Sequence, residues 1–164
     1  MPGIPRVISD NNPRESCRYL PIRAASTAAP PALLLRPVSD ADMKEILVID
    51  DSSAIRKAIR RILEPMGYAV REAADGAKAL EACHGARPDA ILCDIDMPVM
   101  DGLTFVRVMR ADPALRELPV IMCTTHNTFA KIQEAIGLGA NEYIMKPFDA
   151  EIIGGKLAAC GLTG

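Results

Sequence analysis

The chain has 164 residues, 49% of them hydrophobic, and a formal net charge of −2, which suits one ordinary folded domain with a substantial core. Without a basic face there is no electrostatic reason to expect nucleic acid as a partner. No apolar run approaches the roughly 20 residues needed to cross a bilayer, and the N-terminus lacks the regions of a signal peptide, so a cytoplasmic protein with no membrane partner is expected.

Residues 1–42 contain seven of the 13 prolines and the run "AASTAAPPALLL". Proline removes backbone donors and fixes φ, and no helical or strand period survives there, so this stretch is predicted to be a disordered extension. The character changes at Met43, where "MKEILVIDDS" reads as the start of a domain spanning 43–164. Met43 is the expected initiator; a peptide spanning Ala41 to Ile46 recovered from cells would refute that.

From there apolar runs begin near Ile46 ("ILVI"), Tyr68 ("YAV"), Ala90 ("AILC"), Pro119 ("PVIMC") and Tyr143 ("YIM"). The intervals between them hold a crossover helix, as parallel strands require. Four of the five runs are continuously apolar, the pattern of strands buried on both faces. After the first run, Ile55, Ile59, Ile62, Leu63 and Met66 recur on one face of a helix. Ser52 or Ser53 can cap its start, Pro65 weakens its last turn, and Gly67 stands where a C-terminal glycine belongs. The stretches "GAKALEAC", "LTFVRVMRA", "FAKIQEAIGLG" and "DAEIIGGKLAAC" follow the other four runs. The order is (βα)5, an α/β fold with a doubly wound parallel sheet covered on both faces.

Five cysteines (Cys17, Cys83, Cys93, Cys123, Cys160) make an odd set with no C-x-x-C spacing, so buried thiols are expected rather than disulfides. His84 and His126 have no second ligand type at metal-binding spacing, so no zinc site is expected.

Ligands of open α/β sheets bind outside the carboxyl ends of the strands. Those ends hold Asp50 and Asp51 after the first strand, Asp94 after the third, Thr124 after the fourth and Lys146 after the fifth. Three carboxylates held close repel one another and call for a cation. Hard oxygen ligands with positions left for water and phosphate suit Mg²⁺, beside which an aspartate can attack phosphorus. Taken singly, each residue has a plainer reading: a helix cap for Asp50 and Asp51, a solvated lysine, a packing tyrosine at 143. Placement together at strand ends overturns these for Asp50, Asp51, Asp94, Thr124 and Lys146. Asp101, in a "DG" turn, is given a structural role, and His126 that of a loop histidine at the rim.

The pieces "VIDDS", "LCDIDMPVMDG", "VIMCTT" and "YIMKPF" resemble, in order and spacing, a response-regulator receiver domain of two-component signalling, over residues 43–160. The resemblance implies a flavodoxin-like fold with strand order 2-1-3-4-5, and Asp94 as phosphoacceptor. It implies Asp50, Asp51, Asp94 and the backbone carbonyl of Asp96 as the Mg²⁺ site, and Thr124 and Lys146 as phosphoryl-binding residues. Tyr143 would be the switch aromatic, and the Lys146–Pro147 bond would be cis. The implied partners are a histidine kinase or histidine phosphotransfer protein, and a target contacting the face of the fourth helix, fifth strand and fifth helix. With the chain ending at Gly164, output is expected through a protein contact, and no turnover enzyme is expected beyond self-catalysed phosphotransfer and autodephosphorylation.

Two positions depart from the commonest family pattern: Asp96 adds charge beside a phosphoryl group carrying about −2, and Thr125 stands where a small residue is frequent. D-x-D after an apolar strand also resembles haloacid-dehalogenase phosphatases, but there the motif lies near the domain start and acidic ligands follow the lysine. The other alternative is a pseudo-receiver that binds proteins without phosphorylation, against which the intact acidic pair, acceptor and lysine argue.

Overall fold

The alternation of apolar runs and amphipathic stretches is realised as five strands and five helices in a computed structural model that describes residues 43–125 and 129–163. The expectations for residues 1–42 and for His126 lie outside the described residues, as does Cys17. The elements are β1 (Glu45–Ile49), α1 (Ser53–Leu63), β2 (Ala69–Ala73), α2 (Gly76–Gly85), β3 (Ala90–Asp94), α3 (Gly102–Ala111), β4 (Val120–Thr124), α4 (Phe129–Gly137), β5 (Glu142–Met145) and α5 (Ala150–Ala159). The sheet is parallel throughout, in the order β2-β1-β3-β4-β5.

Side chains alternate across a strand, so a run that is apolar at every position feeds two cores. Leu47, Ile49, Ile91, Cys93, Val120 and Met122 point to the layer of α2, α3 and α4, where they meet Ala79, Phe105, Val106, Met109 and Ala135. Ile46, Val48, Leu92, Ile121, Cys123 and Ile144 point the other way, against Ile59, Leu63, Ile153 and Leu157 of α1 and α5. Each fully buried aliphatic side chain stabilises the fold by roughly 1.5–3 kcal/mol before chain entropy is counted. The two edge strands are the exceptions. β5 buries only Ile144 of its four residues and exposes Tyr143 and Met145, so the two-faced burial expected of four strands holds for β1, β3 and β4 alone. β2 is the other: its "AVREA" is only partly buried, as befits an edge strand, and carries Arg71 and Glu72.

The helix boundaries follow local chemistry. Asp75, Asp101 and Asp149 each accept a backbone N–H from the first turn of α2, α3 and α5, which is what an N-cap aspartate does. Asp101 is thus structural, as its turn signal implied. α1 differs: Ser52 holds the cap position without a side-chain bond, and the Asp50 carboxylate accepts its N–H at 2.8 Å instead. At the other end Pro65 lies in a short 3₁₀ turn, Glu64–Met66, closed by Gly67 at φ +86. Arg110 of α3 ties down the lower loops, donating to the carbonyls of Arg116, Leu118 and Gly139 and to the Asn141 side chain.

Cys83, Cys93 and Cys123 are buried free thiols, and Cys160 is half-buried and free. Among the described residues no helix is long and apolar enough to cross a membrane.

Candidate phosphoryl-acceptor site

Strand register assembles the site. Ile49 pairs with Cys93, Asp94 with Cys123 and Thr124 with Met145. The residues at or just past the carboxyl ends of four strands therefore come level: Asp50, Asp94, Thr124 and Lys146. The Lys146 backbone N–H donates to the Thr124 carbonyl at 2.8 Å, locking the last two together. The Lys146–Pro147 peptide is cis.

At the centre, Lys146 Nζ bridges two carboxylates, 2.6 Å from Asp50 Oδ2 and 2.8 Å from Asp94 Oδ1. Asp50 is 1% exposed and Asp94 7%. Burial raises the Asp94 carboxyl above the ordinary carboxylate range, and its hydrogen bond to Lys146 only partly offsets this, while the charges of Asp50 and Asp96 push it the same way as burial. Burial alone would lower Lys146, but its bonds to Asp50 and Asp94 outweigh that and hold it firmly protonated. The site is a low-solvation pocket with one cation for two buried anions.

The remaining residues take different places. Thr124 is buried at the end of β4, the strand next to the one that carries Asp94. Asp51 is exposed at the rim. Asp96, two residues past Asp94, turns its side chain outward to Lys131 of α4. Tyr143 lies on β5 with its ring partly exposed, capped by Lys156 Nζ at 5.2 Å from the ring centre; Lys156 in turn binds Glu142. The structure thus bonds Asp50, Asp94 and Lys146 directly and leaves Asp51, Asp96 and Tyr143 on the periphery.

Sequence reasoning missed three contributors. Arg56 Nη1 donates to the Asp50 carbonyl at 2.6 Å while its Nε binds Glu72, bracing the strand end from α1. Lys131, in sequence only one residue of a helical stretch, reaches the Asp96 carboxylate from α4. Gly102 lets α3 start directly over Asp94, because a Cβ there would overlap the Asp94 carbonyl oxygen and crowd Met122. Only the glycine carried a readable signal, the "DG" turn. Beside the lysine a cavity of about 400 Å³ opens between α1 and the β5–α5 loop, lined by Ile55, Ala58, Thr125, Lys146, Pro147 and Phe148.

Among the described residues no three ligating side chains converge as a ready-made metal cage. The donor set nonetheless fits a hard divalent cation. Two buried carboxylates short of positive charge, with a third at the rim, are the chemistry of a Mg²⁺ site that fills its other positions with water and phosphoryl oxygens.

The fold has well-matched relatives among known proteins. A family model described as the response regulator receiver domain matches residues 46–157. The chemotaxis protein CheY of Pseudomonas aeruginosa is 38% identical over 114 residues, 69% of this chain and 92% of that protein. The solved structure of the chemotaxis response regulator CheY4 of Vibrio cholerae superposes with a TM-score of 0.68 at 37% identity, over 72% of this chain and 98% of that one. The receiver domain of a sensor histidine kinase from Pseudomonas aeruginosa PAO1, described with a magnesium ion coordinated in its active site cleft, superposes with a TM-score of 0.66 at 32% identity, over 73% and 99% of the two chains.

Proposed function

The chain belongs to the response regulator receiver family, and from that premise we propose that it carries its phosphoryl group on Asp94. Receiver domains are generally signalling modules rather than enzymes, and they work with histidine kinases and downstream targets. The observation that carries the assignment is the Lys146 bridge. One buried ammonium holds Asp94 and Asp50 together at the strand ends, so the acceptor is desolvated, paired with a cation and aimed.

A desolvated carboxylate is a stronger nucleophile than one in water, provided a cation keeps it charged. Asp94 then attacks the phosphorus of a phosphohistidine on a partner kinase or phosphotransfer protein. The Asp94 O–P bond forms as the P–N bond breaks, and the imidazole leaves with the electron pair and takes a proton from solvent. Lys146 moves from sharing two carboxylates to pairing with a phosphoryl oxygen, and Thr124 donates its hydroxyl to another. Asp50, Asp51, Asp94 and the Asp96 carbonyl would hold Mg²⁺, which when bound offsets the charge gathered on the transferred group. The apolar cavity between α1 and the β5–α5 loop opens beside Lys146 and gives the donor protein a place to seat.

Drawing Thr124 toward the phosphoryl group frees room for Tyr143 to turn inward from beneath Lys156, biasing the α4-β5-α5 face between two states. A cytoplasmic target protein reads that face. The test is to add Mg²⁺ and beryllofluoride to the wild type and to Asp94→Ala. Amide shifts around Thr124, Tyr143 and Lys146 in the wild type only are expected. No shift in either protein would refute acceptance at Asp94 and favour a pseudo-receiver.

A further inference from the structure

Asp96 sets a problem for a site that must accept an anion. It adds a carboxylate two residues from the acceptor, and a phosphoryl group of charge about −2 on Asp94 would be repelled by it.

The structure shows where that charge goes. Lys131 Nζ lies 2.6 Å from Asp96 Oδ1, joining the loop after β3 to α4 across 35 residues of sequence. Lys131 is the third residue of α4, and the first turn of that helix carries no acidic residue. A cation near a helix N-terminus is disfavoured by the helix dipole, and the missing anion is supplied from outside the helix by Asp96. Each partner answers a deficit in the other: α4 gains an anion at its start, and the acceptor loop gains a cation beside an extra carboxylate. Both side chains are more than one-third exposed, at 37% and 47%, so the pair is a soft, salt-sensitive contact and not a structural strut.

We propose that Lys131 is a positioning residue for phosphoryl acceptance: by holding the Asp96 carboxylate it cancels the surplus negative charge beside Asp94, and it ties that compensation to α4. The inference rests on the reading of Asp94 as acceptor and adds a helix the acceptor motif does not contain. Because the compensating cation stands on α4, a displacement of that helix uncovers Asp96 and weakens the hold on the phosphoryl group. A partner that captures α4 in its resting position has the opposite effect.

The experiment titrates beryllofluoride, with Mg²⁺ in excess, into the folded wild type, Lys131→Gln, Lys131→Arg, Asp96→Asn and the Lys131→Gln/Asp96→Asn double variant, at low and high salt. Lys131→Gln should bind about three-fold more weakly at low salt, a loss of the size expected for one exposed ion pair. That loss should shrink at high salt, where the Debye length falls to about 3 Å. Lys131→Arg should bind like the wild type, and Asp96→Asn more tightly, because it keeps the backbone carbonyl and loses the surplus charge. The double variant should match Asp96→Asn, since with the carboxylate gone Lys131 has nothing to cancel. Equal affinity of Lys131→Gln and wild type, or the same loss in the Asp96→Asn background, would overturn the proposal while leaving Asp94 as acceptor. A wild type that fails to bind beryllofluoride at all would overturn both.

Discussion

Two residues show how a side chain's cost or gain can be read from its immediate surroundings. Val99 adopts φ +69, 87% exposed, between the Pro98 carbonyl and the Met100 N–H, which are joined at 2.8 Å. That is a three-residue γ-turn with a β-branched residue at its apex, a conformation that costs a side-chain-bearing residue roughly 1–2 kcal/mol. Val99→Gly should therefore stabilise the fold by about 0.5–1 kcal/mol once the extra freedom of glycine in the unfolded chain is subtracted, read as a higher urea midpoint at unchanged slope. Glu72 is the opposite case. The hydrogen bond from Arg60 is the largest influence on its carboxyl and lowers it, with Arg56 adding to the effect. A depressed carboxyl contributes stability above its unfolded value of 4.5, and that stability is lost as pH falls through the folded value. Glu72→Gln should thus be less stable than wild type near neutrality, and the gap should close in strong acid; a gap independent of pH would contradict the ion-pair account. Neither residue was legible beforehand. Val99 sits in a motif whose turn geometry appears only in three dimensions, and Glu72 meets its arginines from a different element.

For whole elements the agreement between pattern and structure was closest where periodicity is strong. Ile55, Ile59, Ile62, Leu63 and Met66 all face the core that α1 shares with α5, as a stripe at helical spacing requires. α5 carries a weaker pattern, interrupted by Gly154 and Gly155, yet it runs unbroken from Ala150 to Ala159, anchored by Ile153 and Leu157. Packing outweighs the propensity deficit. The two glycines are not equivalent. A Cβ on Gly155 meets nothing within 4 Å, whereas one on Gly154 comes 3.0 Å from the end of Met66. Gly155→Ala should therefore gain close to the full ~1 kcal/mol of helix propensity, and Gly154→Ala less, because Met66 must move. Thermal melts of the two single variants compare them directly. An equal gain would mean that Met66 yields without cost.

The molecule as a whole accepts a local instability at its site. Burial raises the Asp94 carboxyl despite Lys146, so its contribution to stability is present in acid and lost as pH rises through the folded value. In metal-free buffer near neutrality, Asp94→Asn should melt higher than wild type, and the difference should vanish in acid. Mg²⁺ should narrow that difference by stabilising the wild type, by about 2.7 kcal/mol at a hundred-fold excess over its dissociation constant. An Asp94→Asn variant less stable than wild type at every pH would show that the Lys146 bridge outweighs burial and would remove the account of a strained Asp94.

Hydrophobic period and strand length are local properties, so the chain alone encodes the (βα)5 order and the placing of Asp50, Asp94, Thr124 and Lys146 at strand ends. Two-faced burial was legible for β1, β3 and β4 but not for β5, whose edge position exposes Tyr143 and Met145. The sequence also carried the family resemblance that the comparisons bear out. Only the tertiary structure decided which of those residues touch. The parallel register brings Asp50, Asp94 and Lys146 within hydrogen-bond distance, leaves Asp51 at the surface, and sets Lys131 against Asp96 from a helix 35 residues away. Contacts between distant elements depend on how helices seat on a twisted sheet, and no spacing rule along the chain encodes that.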